Sequence, residues 1–206
     1  MQLRIAAVAM AALGLLGAAS QAQAARFSPY SGAGFQAAGG TPIPLSGTDL
    51  SIDVGGTYTN AAEGNPANTV RVYQLSPNAL VDGVSWAVDL QAFSPSWLSE
   101  MTISFLSSSG DGVYLTAAPN DDFPGTGSYA GGARLSDFGL QFSLPANGLL
   151  RVEFFESFND SPVDPDGLFV SGHVTFSNVV PEPSTYGLMA LGLMAVGAVA
   201  RRRRAR

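Results

Sequence analysis

Few residues of this chain carry side chains suited to acid–base or nucleophilic chemistry. Its 206 residues include one histidine, His173, and no cysteine. The absent thiols exclude disulfides, thiolate metal sites, a cysteine nucleophile and an N-terminal lipid anchor on Cys. A single imidazole excludes multi-histidine metal centres. His173 stands in Ser171-Gly172-His173-Val174-Thr175, so an extended backbone puts Ser171 and Thr175 on its side of a strand. A Ser-His-Asp relay would also need an acid such as Asp137 or Asp160 brought near in space. No Gly-x-Ser-x-Gly elbow occurs to support one, and His173 reads as a strand-face residue.

Acids gather in two turn-rich stretches. Asn120-Asp121-Asp122 forms one, and Glu156, Asn159-Asp160, Asp164 and Asp166-Gly167 form the other. Calcium takes six to eight oxygens from carboxylates, amides and backbone carbonyls, and Asp160, Asp164 and Asp166 could contribute to such a loop. The EF-hand spacing is incomplete, and the competing reading is a solvated turn in which Asp and Asn cap backbone amides. Glu153 and Glu156 invite a two-carboxylate glycosidase. Three residues apart on one strand, however, they face opposite sides of a sheet. No cofactor other than that optional calcium is expected. Among the aromatics that could stack on a sugar ring, Trp86 alternates with Val88 and Leu90 and belongs to a core. Trp97 lies in a turn-rich stretch and is the better ligand candidate.

These residues sit in a β-patterned middle. Residues 25–180 contain all 12 Phe, both Trp and five of the six Tyr. Alternation of period two runs through Trp86–Ala92, Met101–Phe105, Phe138–Leu144, Leu150–Phe154 and Leu168–Phe176, and places Arg151 and Glu153 towards solvent. Weaker strands are expected at Asp49–Val54, Thr69–Leu75 and Gly112–Ala117. Pro145-Ala146-Asn147-Gly148 reads as a hairpin turn between two of the runs. A short helical turn fits 94–100. Regularly spaced strands without helix-period segments predict an all-β domain, a β-sandwich of jelly-roll type, over residues 47–178. Residues 25–46, rich in Gly, Ala and Pro, form an arm or a first edge strand.

Two terminal segments are addresses. Residues 1–24 combine Arg4, an apolar run and Ala22-Gln23-Ala24, which has small residues at Ala22 and Ala24 for cleavage by signal peptidase after Sec export. Residues 179–206 contain a stiff hinge, Pro181-Glu182-Pro183-Ser184-Thr185, then 15 uncharged residues from Tyr186 to Ala200, then Arg201, Arg202, Arg203, Arg204 and Arg206. As a helix the apolar run is about 22 Å long, a short transmembrane span with a cytoplasmic Arg stop. Together these parts resemble the PEP-CTERM sorting signal of Gram-negative bacteria. The resemblance implies an exosortase-like membrane enzyme that cuts near the Pro-Glu-Pro motif. It also implies an anchored precursor with its domain on the periplasmic side, and later release to the cell surface or matrix. The family is associated with exopolysaccharide and biofilm.

Six of the ten Arg belong to the two addresses. Between residues 25 and 180 four Arg face 15 acids, a formal charge of −11. Such a surface excludes nucleic acid as a partner, because phosphates need cations. The expected function is a non-enzymatic structural or adhesive role, with polysaccharide as a partner. A carbohydrate-binding module, with or without calcium, is the alternative, and a secreted hydrolase is the third reading.

Overall fold

A computed structural model describes residues 26–32, 43–44, 50–159, 165–177 and 193–194. Ala22, Ala24, Asp160, Asp164, the hinge from Pro181 to Thr185, and Arg201 to Arg204 with Arg206 lie outside the described residues. Of the expected apolar helix only Leu193 and Met194 are described, and they are helical. Among the described residues no helix is long and apolar enough to cross a membrane.

The protein is all-β. Its strands are β1 (Arg26–Pro29), β2 (Ile43–Pro44), β3 (Leu50–Asp53), β4 (Thr57–Thr59), β5 (Thr69–Gln74), β6 (Leu80–Val81) and β7 (Gly83–Ala92). After a 3-10 turn at Leu98–Glu100 follow β8 (Met101–Ser107), β9 (Gly112–Thr116) and β10 (Gly125–Arg134). A second 3-10 turn, Leu135–Phe138, precedes β11 (Phe142–Ser143), β12 (Leu149–Glu156) and β13 (Gly167–Ser177). One sheet has the order β1-β9-β8-β12-β5-β2. The other runs β10-β7-β13-β3, with β4 also on β13, and β11 pairs with β6 separately.

The two large sheets bury their apolar faces against each other, as the alternation predicts except at the start of β13. There the alternation sets Leu168 and Val170 inward, but the register shift between Phe169 and Ser171 puts Phe169 in the core and leaves Val170 exposed. Ile103, Phe105, Leu115, Val152 and Phe154 of the first sheet meet Trp86, Val88, Leu90, Phe169, Val174 and Phe176 of the second in one cluster. Ring pairs lock the layers: Phe105 and Phe176 lie 4.7 Å apart edge to face, and Phe154 and Phe169 lie 5.3 Å apart. A single aromatic pair of this geometry adds about 1 kcal/mol beyond its burial.

Three expectations need correction. Phe138–Leu144 is not a strand. Residues 135–138 coil into the 3-10 turn, Gly139 closes it at φ 68°, and only Phe142–Ser143 is extended, on β6. The Pro145–Gly148 turn does form, with Gly148 N–H donating to the Pro145 carbonyl. It makes no hairpin, because β12 pairs with β5 and β8 and not with β11. Arg151 and Glu153 do face away from the core but are buried. The 60–68 loop crosses over them: Gly64 N–H and Asn68 Nδ2 both donate to Glu153 Oε1, at 2.7 and 2.9 Å.

Asp82 holds the second 3-10 turn in place. Its carbonyl accepts Leu135 N–H and its carboxylate accepts Ser136 N–H at 2.8 Å, with Arg134 Nη2 3.5 Å away. Burial pushes this carboxyl upward, but the Ser136 hydrogen bonds and Arg134 outweigh it and hold Asp82 below the usual carboxylate range. A depressed folded value gives stability that is present above the ordinary Asp pKa and lost as pH falls through the folded one. Asp82→Asn is therefore expected to destabilise the domain by about 1–3 kcal/mol at neutral pH. It should also flatten the acid limb of a urea-unfolding series taken against pH. An unchanged acid limb would remove Asp82 from that role.

Candidate functional site

Four connections gather at one end of the two sheets: residues 60–68, 93–100, 117–124 and the stretch after β12. Backbone hydrogen bonds stitch them together. Leu98 N–H donates to the Phe123 carbonyl, Ser99 N–H to Asp121, Ser157 N–H to Glu100, and Glu156 N–H to Ala61. Each loop thus satisfies backbone groups of its neighbours, which gives loops without regular structure one arrangement.

Trp97 is presented from this end. The Glu100 carboxylate reaches back to accept Trp97 N–H at 2.9 Å, closing the turn before β8. That turn leaves the indole 43% exposed. Pro95, Trp97, Glu100 and Phe158 frame a hollow of about 340 Å³. Phe158 is 62% exposed, and Phe123, on the adjoining loop, is 70% exposed. Soluble surfaces seldom keep several large aromatics at one end unless something stacks on them.

Beside this hollow lies a larger cleft of about 550 Å³ on the outer face of the first sheet. Its floor comes from Thr102, Tyr114, Thr116 and the nearly buried Phe155, and its rim from Ser28, Ser99, Asn120, Asp122 and Ser157. Ser99 Oγ donates to Asp122 Oδ1 at 2.7 Å, and the Thr102 and Thr116 hydroxyls are 3.1 Å apart. Tyr114 packs edge-on to Phe155 at 5.8 Å and donates its hydroxyl to Glu63 Oε2. Burial, then the Glu63 carboxylate, push the Tyr114 phenol up, so it stays a neutral donor. Asp121 lies behind the rim and accepts the Tyr129 hydroxyl at 2.5 Å.

The other candidates fall elsewhere. His173 is exposed on the flat outer face of the second sheet, opposite Ala87 and Asp53. Its neighbour Ser171 donates to Asp89 at 2.5 Å, which Ser128 also binds at 2.6 Å, and Asp137 sits in the 3-10 turn beyond β10. Glu153 and Glu156 lie on opposite faces of β12. Glu153 pairs with Arg151 at 2.6 Å, and Glu156 accepts the Thr59 hydroxyl. Asp166 is fully buried; its N–H donates to the Thr59 carbonyl and its carbonyl accepts Phe93 N–H. Among the described residues no group of three or more His, Cys, Asp or Glu is placed to hold a metal ion. Sequence reasoning picked out Trp97 and missed Phe158, Pro95 and the hydroxyl cleft. Phe158 had one signal, an aromatic within an acidic, turn-forming stretch; the cleft had none, because its walls come from four separate segments.

An all-β domain with a loop-end hollow defines only a broad class, that of two-layered β proteins. The chain is more closely placed by its other end. Residues 179–204 match the PEP-CTERM protein-sorting motif, so the chain carries that sorting signal at this end. It is accordingly an exported protein that an exosortase-type membrane enzyme processes. No curated protein matches the chain.

Proposed function

We propose that the exported domain is a non-enzymatic surface or matrix protein with a structural or adhesive role, and that it holds polysaccharide at its loop end. The observation that carries this is Trp97, held outward by Glu100 and flanked by Pro95 and Phe158 beside a hydroxyl-lined cleft. Aromatic faces stack on the C–H faces of sugars, while hydroxyls and amides exchange hydrogen bonds with their rims. The strand order supports a jelly-roll sandwich. Taken in chain order, β3, β5, β7, β8, β9, β10, β12 and β13 change sheet at every step except the β8–β9 hairpin, as two interlocked Greek keys do, an architecture shared with lectins. His173 lies on the second sheet while Glu153 and Glu156 face opposite sides of β12 in the first, and this separation from one another supports a binding role over hydrolysis.

The proposed route is Sec export, signal-peptide cleavage after Ala24, and anchoring through residues 186–200 with the Arg cluster in the cytoplasm. Exosortase processing near Pro181-Glu182-Pro183 would then deliver the domain to the surface or the exopolysaccharide. No cofactor is invoked, and calcium is an added arm of the test.

The test is a glycan array probed with the purified protein. Polysaccharide binding is expected, and Trp97→Ala is expected to weaken it about tenfold, the loss of one good stacking contact. Melting temperature with and without millimolar calcium shows whether the ion takes part. An activity screen on polysaccharides and esters, with His173→Ala as control, is expected to find no turnover. Turnover that His173→Ala abolishes would make the protein a hydrolase.

A further inference from the structure

The two large sheets end in four edges, and three of them are blunted. β1 has four residues and closes on Pro29, and β2 has two and closes on Pro44. β3 and β4, of four and three residues, share the far edge of the second sheet. Short strands and prolines keep an edge from adding further strands. The fourth edge, β10, has neither device. It runs ten residues, Gly125–Arg134, and pairs with β7 along its whole length. Among the described residues no strand pairs with its other side. Alternate N–H and carbonyl groups of β10 therefore point away from β7 with no strand to receive them. From Gly125 to Ala133 the strand holds no proline and no charged side chain, and most of it is exposed.

A second copy of β10 fits this edge. The formal charge of −11 between residues 25 and 180 makes two copies repel over most of their surface, but Gly125–Ala133 sets no charge opposite its own image. Antiparallel pairing of a strand with itself lays its start against the copy's end. Phe123, just before β10, is 70% exposed, and Phe138, just beyond it, is 62% exposed. Phe138 lies on this side of the sandwich, stacked on Phe27 of β1 at 6.5 Å. Self-pairing brings each Phe123 to the end where the other copy's Phe138 lies, and covers rings that a single domain leaves to water. We propose that two copies of this domain pair β10 with β10, antiparallel about a two-fold axis, so that their second sheets run on as one. The contact closes at two copies because the remaining edges are blunted. The start of β10 adjoins the loop end, where the Phe123 carbonyl accepts Leu98 N–H. The two-fold axis therefore sets the two Trp97 hollows at opposite ends of the dimer. Under the adhesive reading above, the dimer would bridge two polysaccharide segments; the pairing itself does not rest on that reading.

The test is sedimentation of the purified protein over a concentration series, with no glycan present. A monomer–dimer equilibrium is expected, tightening as salt rises, because screening removes the repulsion between two acidic copies. Hydrogen exchange at low and high concentration should show amides of residues 125–134 slowing as the dimer forms, with residues 50–53 unchanged. Ala130→Glu puts a carboxylate at the exposed centre of β10 and, in the dimer, close to its own image. It should keep the melting temperature of the dilute monomer and weaken dimerisation at least about tenfold. A protein monomeric throughout the series would overturn the β10 contact. A dimer that salt dissociates, or one whose affinity and exchange pattern survive Ala130→Glu, would be held elsewhere and would overturn it too. Exchange that is slow at every amide of residues 125–134 and at every concentration would put a segment of the same chain on the edge, and would overturn the second copy as its occupant. Loss of the dimer leaves the polysaccharide reading standing, and an empty glycan array leaves the dimer standing.

Discussion

Replacing Arg151 by Ala is expected to cost about 3–5 kcal/mol of stability, one of the two largest effects of any single substitution in the domain. The guanidinium lies 2.6 Å from Glu153, and both side chains are almost wholly shut off from water. Removing it leaves a carboxylate in a low-dielectric layer with Gly64 N–H and Asn68 Nδ2 as its remaining donors. Those donors also anchor the 60–68 loop. Asn68 further accepts Ala61 N–H and donates to the Ala62 carbonyl, so a displaced Glu153 loosens the loop as a unit. Glu63, on the same loop, holds the Tyr114 hydroxyl in the cleft. The loss should therefore reach the site: Arg151→Ala should also raise mobility at Tyr114, which hydrogen exchange across residues 60–68 and 112–116 would record. Urea unfolding gives the stability. A change below about 1 kcal/mol would mean that the pair behaves like a solvated surface pair and does not organise the loop.

Gly172→Ala is expected to be at least as damaging, at about 3 kcal/mol or more, and to reduce the yield of folded protein. Gly172 has φ 115°, where a β-carbon is disfavoured, and an added Cβ would sit 2.1 Å from the Ala87 carbonyl oxygen. That oxygen belongs to the backbone of β7, so relief requires β7 and β13 to separate at the centre of their sheet. The register of this pair shifts between Phe169 and Ser171, and Gly172 is the residue that allows the ladder to resume. The matched control is Gly132→Ala on β10 of the same sheet. Its Cβ would meet nothing closer than 3.5 Å, and its change in melting temperature should be small. Equal effects at the two glycines would mean that composition, not the bulge, governs the sheet.

The sequence announced much of this architecture, because a half-buried strand must alternate. Trp86–Ala92, Leu150–Phe154 and Leu168–Phe176 all appear as strands, and Trp86 is buried while Trp97 is exposed. β10 was invisible for the same reason. Gly-Thr-Gly-Ser-Tyr-Ala-Gly-Gly-Ala-Arg shows no apolar period, since Gly131 leaves space that the Trp86 ring fills from the neighbouring strand. Phe138–Leu144 alternated without becoming a strand, because Asp82 caps a 3-10 turn there from 54 residues away. The candidate site divides in the same way. Trp97 stood out by type and local context, but Ser28, Thr116, Asn120 and Ser157 are commonplace residues until the sheet and loops bring them together.

By itself the sequence determined export and the class of fold. A sorting signal is read as a linear string of hinge, apolar run and basic stop, and alternation needs only neighbours along the chain. The tertiary structure alone decided that Arg151 and Glu153 lie buried under a loop, and that an aromatic hollow adjoins a hydroxyl-lined cleft. Those outcomes depend on which distant segment crosses which face. That choice belongs to the packing of the whole domain and leaves no periodic trace in any one stretch of chain.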